Sequence, residues 1–256
     1  MSVAAAHEQL VAAQFGPRAR AYVDSVDHAT GSDLARLAAL AAARPGCRVL
    51  DVGCGGGHVS YAVAPHAGAV TACDLSADML AAVSAEAAAR GLANIRTERA
   101  AAEALPFPDG AFDLVLTRFS AHHWRNLDAG LAAMRRVLRP DGLAVVVDVV
   151  GSEDPLHDTV LQAIELLRDP SHVRDRSVPE WLAALRRAGF RPREPILSRL
   201  PLRFDAWIAR MATPAPTVAA IRALQSGLSP DVSDRLDLRP DGSFTLDVVL
   251  IEAEPV

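Results

Sequence analysis

Apolar and polar positions change rhythm several times along this chain, and the changes mark its elements. Residues 3–43 are alanine-rich with polar residues at helical spacing, broken at Gly16-Pro17 and at Thr30-Gly31. Ser32 is the expected N-cap of a helix carrying Leu34, Leu37 and Leu40, and Pro45-Gly46 stops it. The run from Arg48 to Val52 ends in a glycine cluster, so it reads as a strand buried on both faces. A helix over 57–64 and a strand over 69–74 follow. Ser76 caps a helix over 77–90, and Gly91 ends it. Strands are expected at 94–98 and 112–117, separated by a turn-rich loop containing Pro106, Pro108 and Asp109-Gly110. A helix over 127–138 stops at Pro140-Asp141-Gly142, and 143–150 is the most β-prone run of the chain. Strands and helices alternating at this spacing predict βαβ crossovers and a parallel, doubly wound α/β sheet. Beyond Gly151 the pattern loosens: helices over 154–168 and 179–188, an extended run over 191–204, helix over 205–238 and an apolar strand over 243–253.

Composition narrows the function classes. A chain of 256 residues suits one α/β domain with a well-buried core. Its net charge of −5 and the lack of any basic block argue against a nucleic-acid or anionic-membrane partner. All 26 basic residues are arginine. The cysteines Cys47, Cys54 and Cys73 form no C-x-x-C pair, which fits a reducing cytoplasm and no zinc site. Glu8 and Gln9 interrupt any apolar leader. The stretch 52–73 lacks charged residues other than histidine, yet its glycines, His58, Pro65 and His66 rule it out as a membrane span.

The first sheet loop carries chemistry. Asp51-Val52-Gly53-Cys54-Gly55-Gly56-Gly57 joins the first strand to the next helix, with glycines that let a ligand approach the main chain. Asp74 ends the second strand about 20 residues on, where a carboxylate accepts from ribose hydroxyls. The dinucleotide fingerprint requires a third glycine where His58 stands. An acid followed by alternating glycines suits a cofactor with an amino-acid end, because Asp51 attracts an ammonium group and repels a pyrophosphate.

Four segments carry a family resemblance: V-L-D-V-G-C-G-G-G-H (49–58), A-C-D-L-S-A-D-M-L (72–80), A-E-A-L-P-F-P-D-G-A-F-D (102–113) and V-L-R-P-D-G (137–142). In order and spacing they resemble class I S-adenosylmethionine-dependent methyltransferases, especially the small-molecule branch of ubiquinone/menaquinone C-methyltransferases. The resemblance implies a Rossmann-like, seven-stranded sheet with a C-terminal antiparallel hairpin and an N-terminal helical lid. It implies one domain over 1–256: N-terminal helices (1–43), a cofactor-binding core (44–150), and a C-terminal part (151–256) with a helical insert beside the acceptor. It implies that Asp51, Gly53, Cys54 and Gly55 line the methionine end of S-adenosylmethionine. Asp74 would hold the ribose, Leu75 and Met79 would flank the adenine, and Ala102 would meet its edge through the backbone. Many relatives carry an aspartate where Ala101 stands, so either that contact with the adenine amino group is lost, or Glu103 or a water replaces it.

Thr117-Arg118-Phe119-Ser120-Ala121-His122-His123-Trp124 follows the fourth strand, at the sheet edge where ligands sit. Arg118 can clamp a carboxylate, the cofactor's own among them. His123 first and His122 second are candidates to take a proton from the acceptor, near the ordinary histidine range. Tyr22, Ser25 and His28 share one face of an N-terminal helix, as packing or lid. Ser171-His172-Val173-Arg174 resembles a family segment near the acceptor pocket, or is a solvated loop. Trp207, Ile208 and Met211 read as core or acceptor wall. The expected reaction is in-line methyl transfer to a small-molecule acceptor, yielding S-adenosylhomocysteine, with no metal. The rival readings are a nicotinamide-dependent oxidoreductase, disfavoured by His58 and by the absence of lysine, and a non-catalytic S-adenosylmethionine-binding protein.

Overall fold

The structure, a computed structural model, describes residues 3–25 and 29–256. Its frame is one sheet. β1 (Arg48–Val52), β2 (Ala69–Asp74), β3 (Ile95–Arg99), β4 (Phe112–Arg118) and β5 (Leu138–Val149) run parallel. β8 (Phe244–Pro255) then pairs antiparallel with β5. With β6 (Phe190–Pro192) at the far edge, the order is β3-β2-β1-β4-β5-β8-β6. Order reverses between β1 and β4, and at such a switch point the connecting loops diverge and leave a crevice at the carboxyl edge.

Neighbouring residues in the central strands face opposite layers. Leu50, Val52 and Val115 pack with Leu131, Trp181 and Leu185, against the helices Leu127–Val137 and Val178–Arg187. Val49, Leu114 and Leu143 pack the other way, with Leu37 and Val63 of the helices Ser32–Ala42 and His58–Val63. Both faces are apolar, which is why these strands read as continuous hydrophobic runs. A third cluster joins Ile164, Phe204, Trp207, Ile221 and Phe244, seating the helical insert on the helix Pro155–Arg168.

The expected single hairpin arm over 191–204 is two strands, β6 (Phe190–Pro192) and β7 (Ile196–Leu202), so the sheet has eight strands rather than seven. Both pair with β8 on the side away from β5. Pro192 and Pro195 lack the N–H that a continuous ladder needs. Between them only the Arg193 N–H donates to β8, to the Glu252 carbonyl at 2.8 Å. Ser32 is not a cap: Gly31 occupies that position, with φ of 141°, and no side chain caps the helix. Tyr22 lies in the helix Ala19–Val23, Ser25 lies beyond its end, and His28 lies outside the described residues.

Candidate active site

The loop after β1 makes a cradle. Gly53, Gly55 and Gly57 all have positive φ, at 67°, 49° and 81°. A β-carbon on Gly55 would meet nothing within 4 Å, so the space beside it is open. One on Gly53 would strike Ser120 Oγ. Asp74 braces the loop from β2: one carboxylate oxygen accepts from Gly55 N–H and the other from Ser76 N–H, both at 2.9 Å. Each oxygen keeps a lone pair for a further donor.

Asp51 is 1% exposed. Its Oδ2 accepts from the N–H and hydroxyl of Ser60 at 3.1 and 2.7 Å. Its Oδ1 is buried with no hydrogen-bond partner. Burial pushes its ionisation up to about 7, Asp74 adding to the rise, against the Ser60 bonds and the Arg118 charge. Burial next to Asp74 and Asp51 also raises the Cys54 thiol, so it stays neutral.

These groups line a cavity of about 290 Å³. Asp51, Gly53, Cys54, Gly55, Asp74, Leu75, Met79, Ala102, Glu103, Arg118 and His123 all reach its wall. Ala101 does not; it precedes the short turn Ala102–Ala104. Glu103, on that turn, also accepts from Asn126 N–H at 3.2 Å. Arg118 is ion-paired with Asp33 and lies 4.5 Å from the Phe119 ring centroid. A bound carboxylate would therefore share the guanidinium with Asp33.

The N-terminal segment closes one side. Phe15 and Tyr22 line the cavity. His58 Nε2 donates to the Tyr22 carbonyl at 2.8 Å, and His7 Nε2 to the His123 carbonyl at 2.9 Å. A β-carbon on Gly56 would lie 2.7 Å from the Tyr22 carbonyl, so the segment's backbone packs directly on the loop. Tyr22 Oη meets Met211 Sδ at 3.0 Å, and Arg210 donates to Ser25 Oγ at 3.1 Å. The helix Phe204–Met211 thus holds the segment from the far side.

A second cavity of about 70 Å³ adjoins the first and shares Phe15, Tyr22, Phe119 and His123 with it. Phe119 has φ of 51°, a conformation that costs a bulky residue about 1–3 kcal/mol and persists where surroundings enforce it. The two histidines differ. His122 Nδ1 donates to Asp148 Oδ1 at 2.6 Å, while its backbone N–H donates to Oδ2 at 3.1 Å. Burial opposes its charge, yet Asp148 wins and raises its ionisation to about 9. His123 Nδ1 donates to the Ser171 carbonyl at 3.2 Å, and its Nε2 lies 3.9 Å from Asp169 Oδ2. Burial and the neighbouring His122 push its ionisation down to about 3, far below the ordinary range expected from sequence. The 171–174 segment is no solvated loop: Ser171 and His172 are buried, and Val173 N–H donates to the His122 carbonyl at 2.8 Å.

Residues 49–142 match the sequence profile described as a methyltransferase domain. A methyltransferase of Bacillus subtilis, YcgJ, is 34% identical over 93% of this chain and 96% of its own. Its crystal structure superposes with a TM-score of 0.84, over 88% of this chain and 99% of that one. The chain belongs to the S-adenosylmethionine-dependent methyltransferases. A ubiquinone/menaquinone biosynthesis C-methyltransferase of Shewanella pealeana aligns at 37% identity over 42% of this methyltransferase and 45% of its own length. The geranyl diphosphate C-methyltransferase of Streptomyces coelicolor, solved with S-adenosylhomocysteine, shares the fold at 18% identity and TM-score 0.60, over 88% of this chain and 79% of that one. The methyltransferase's cofactor is S-adenosylmethionine, and the cradle fits it: a buried carboxylate oxygen lacks a partner, and open space faces Gly55.

Sequence reasoning missed part of this methyltransferase's site. His58 was legible only as a missing third glycine, while its work is to hold Tyr22. Ser120 and Trp124 line the cavity, the indole N–H donating to Ser120 Oγ at 3.1 Å. Their proximity to the paired histidines was the available signal.

Proposed function

We propose that this methyltransferase methylates a small-molecule acceptor, with the methionine end of the cofactor at Asp51, Gly53, Cys54 and Gly55. Asp74 takes the ribose hydroxyls on its remaining lone pairs, Leu75 and Met79 flank the adenine, and the Ala102 backbone and Glu103 meet its edge. Ala101 offers no carboxylate there, which leaves Glu103 as the acceptor for the adenine amino group. Arg118, shared with Asp33, balances the cofactor's carboxylate. The observation that carries the reading is Asp51 Oδ1, buried without a partner in the wall of the large cavity. An ammonium group satisfies it; the phosphates of a nicotinamide dinucleotide would be repelled.

When bound, the cofactor supplies a methyl group already activated on a sulfonium. The chain's own part is to fix the ends of that molecule, exclude water under Phe15 and Tyr22, and present an acceptor from the second cavity. That cavity's size, about 70 Å³, favours a small molecule over a polymer. Among the described residues no helix is long and apolar enough to cross a membrane. We take residues 1–256 as one working domain of a cytoplasmic enzyme, a setting that suits three free, buried cysteines.

The test is thermal unfolding with S-adenosylhomocysteine and, separately, NADH. A ligand at 100 times its Kd adds about 2.7 kcal/mol, which for a chain of this size is roughly 5–10 °C in Tm. S-adenosylhomocysteine should give that shift and NADH none. No shift and no calorimetric signal with S-adenosylhomocysteine would refute the assignment.

A further inference from the structure

The cofactor assignment leaves the second cavity to the acceptor, and buried charge gathers on its walls. Glu165, Arg168 and Asp175 are 7%, 9% and 1% exposed. Val149, Leu202, Trp207 and Leu246 supply an apolar side. The cavity meets the cofactor cavity at Phe119 and His123, beside Gly53 and Ser120, where the reactive methyl must lie if the cofactor assignment holds.

Resting on that assignment, we propose that the second cavity is the acceptor chamber, and that it takes a compact phenol or enol bound as its anion on the Nε2–H of His122. The geometry separates the two histidines. Both ring nitrogens of His123 turn toward the 169–171 loop, one onto the Ser171 carbonyl and the other toward Asp169. The His123 ring itself packs against Phe15 in a T-shaped contact, 5.0 Å between ring centroids. His122 is gripped the other way. Asp148, 1% exposed, holds both its Nδ1 and its backbone N–H, which fixes the ring and leaves Nε2 without a hydrogen-bond partner among the described residues, on a side chain that lines the chamber. Asp148 is a positioning residue in the sense familiar from carboxylate–histidine pairs: it sets tautomer and orientation.

Charge selects an anion. The groups around His122 are Asp148, Asp175, Glu165, His123 and His172, with Arg168 beside Glu165. Burial pushes Glu165 and Asp175 toward their neutral forms and His123 and His172 down to about 3. Asp148 instead keeps His122 cationic, up to about 9. The cationic side chains on the lining are His122, Arg168 and Arg210, with Glu165 3.9 Å from Arg168. Asp175 Oδ2, buried without a hydrogen-bond partner, is a second donor when protonated. An acidic hydroxyl loses its proton to solvent on binding, so the chain needs no base. The anion's lone pair bonds to the methyl carbon as the carbon–sulfur bond breaks and its electron pair returns to sulfur. Anion and sulfonium become two neutral products.

The test uses the full chain saturated with S-adenosylhomocysteine, its occupancy read by calorimetry, and para-nitrophenol, whose anion absorbs in the visible. Bound dye should stay anionic at a pH where free dye is largely neutral. His122→Gln should weaken dye binding at least about ten-fold and return the bound dye's ionisation toward that of free dye. Asp148→Asn should move the same spectrum while leaving S-adenosylhomocysteine affinity intact. Val149→Phe, which fills the chamber while keeping the backbone N–H that donates to Asp148 Oδ1, should block dye and spare the cofactor, and it decides the case if the other variants misfold. The proposal fails if the dye binds as neutral phenol, if para-nitrotoluene binds as tightly, if His122→Gln changes nothing, or if the loaded protein binds no dye. Calorimetry showing no S-adenosylhomocysteine binding would instead overturn the cofactor assignment itself.

Discussion

Replacing Asp51 by asparagine should stabilise the empty protein and disable it. An aspartate ionisation moved from 3.8 to about 7 means that the charged form is about 4 kcal/mol less stable in the fold than in water. Asp51 is buried, so solvent screening does not erase that figure. The sign follows from linkage. Between the two pKa values the folded state holds a proton that the unfolded state has released, so stability falls as pH rises from about 4 to about 7. Below pH 4 both states are protonated and the cost is absent; above 7 it is complete. Asparagine keeps an oxygen for the Ser60 N–H and hydroxyl and carries no charge, but its amide NH2 lies where Oδ1 lacks a partner, at a cost of about 1–3 kcal/mol. The net gain at pH 8 is about 1–3 kcal/mol, or roughly 2–10 °C in Tm. It should disappear near pH 4. The same variant should bind S-adenosylhomocysteine at least about ten-fold more weakly, since a charge-assisted bond to the ammonium is gone. Scanning calorimetry of both proteins at pH 4, 6 and 8, with and without ligand, reads all of this. A variant less stable than the parent at pH 8, with an unchanged pH profile and full affinity, would refute the reasoning.

Three further changes probe the cradle and its cover. Gly55→Val should abolish S-adenosylhomocysteine binding while circular dichroism stays near that of the parent, because its side chain enters open space in the empty protein, with backbone strain at φ of 49° as the cost. Asp74→Ala should weaken binding by about 1–3 kcal/mol in calorimetry and free the Gly55 and Ser76 N–H groups that the carboxylate now holds. Gly56→Ala should push the Tyr22 backbone off the loop, read as faster proteolytic cleavage within residues 3–25 and a weaker ligand-induced Tm shift.

How much of this was visible in the sequence depends on how local the cause is. The central strands were legible because Val49, Leu50, Val52 and Leu114–Leu116 pack into both faces of the sheet, which leaves short apolar runs interrupted only by Asp51. Asp51 and Asp74 were legible because the fold turns their spacing into neighbouring strand ends, with Val52 opposite Cys73 in the ladder. The broken hairpin arm was half legible. Pro192 and Pro195 announce a missing donor, but whether the chain resumes on the same partner strand is decided by β8, about 50 residues on. The lid was the least legible part. His58 and Tyr22 are 36 residues apart, and their contact is ring to carbonyl, which no side-chain pattern at Tyr22 can announce.

The two histidines show the same limit at its sharpest. His122 and His123 are adjacent in sequence and chemically identical, so only tertiary partners can give them different roles. Asp148 comes from the end of β5 and Ser171 from a loop beyond the next helix. Once those partners are in place, one ring is held as a cation on the chamber wall and the other is turned inward and neutral. Three departures from local comfort lie at this same edge of the sheet. Asp51 Oδ1 and Asp175 Oδ2 are buried without partners, and Phe119 takes a backbone conformation that bulky residues avoid. All three residues line one or both cavities. Other buried polar atoms lack partners too, Trp181 Nε1 among them, but Asp51 and Asp175 stand in cavity walls, where a ligand can complete them. Asp51 calls for a cation in the large cavity, and the His122 side of the small one calls for an anion. A sulfonium cofactor with an ammonium end and an acidic acceptor are the two molecules whose charges match that division.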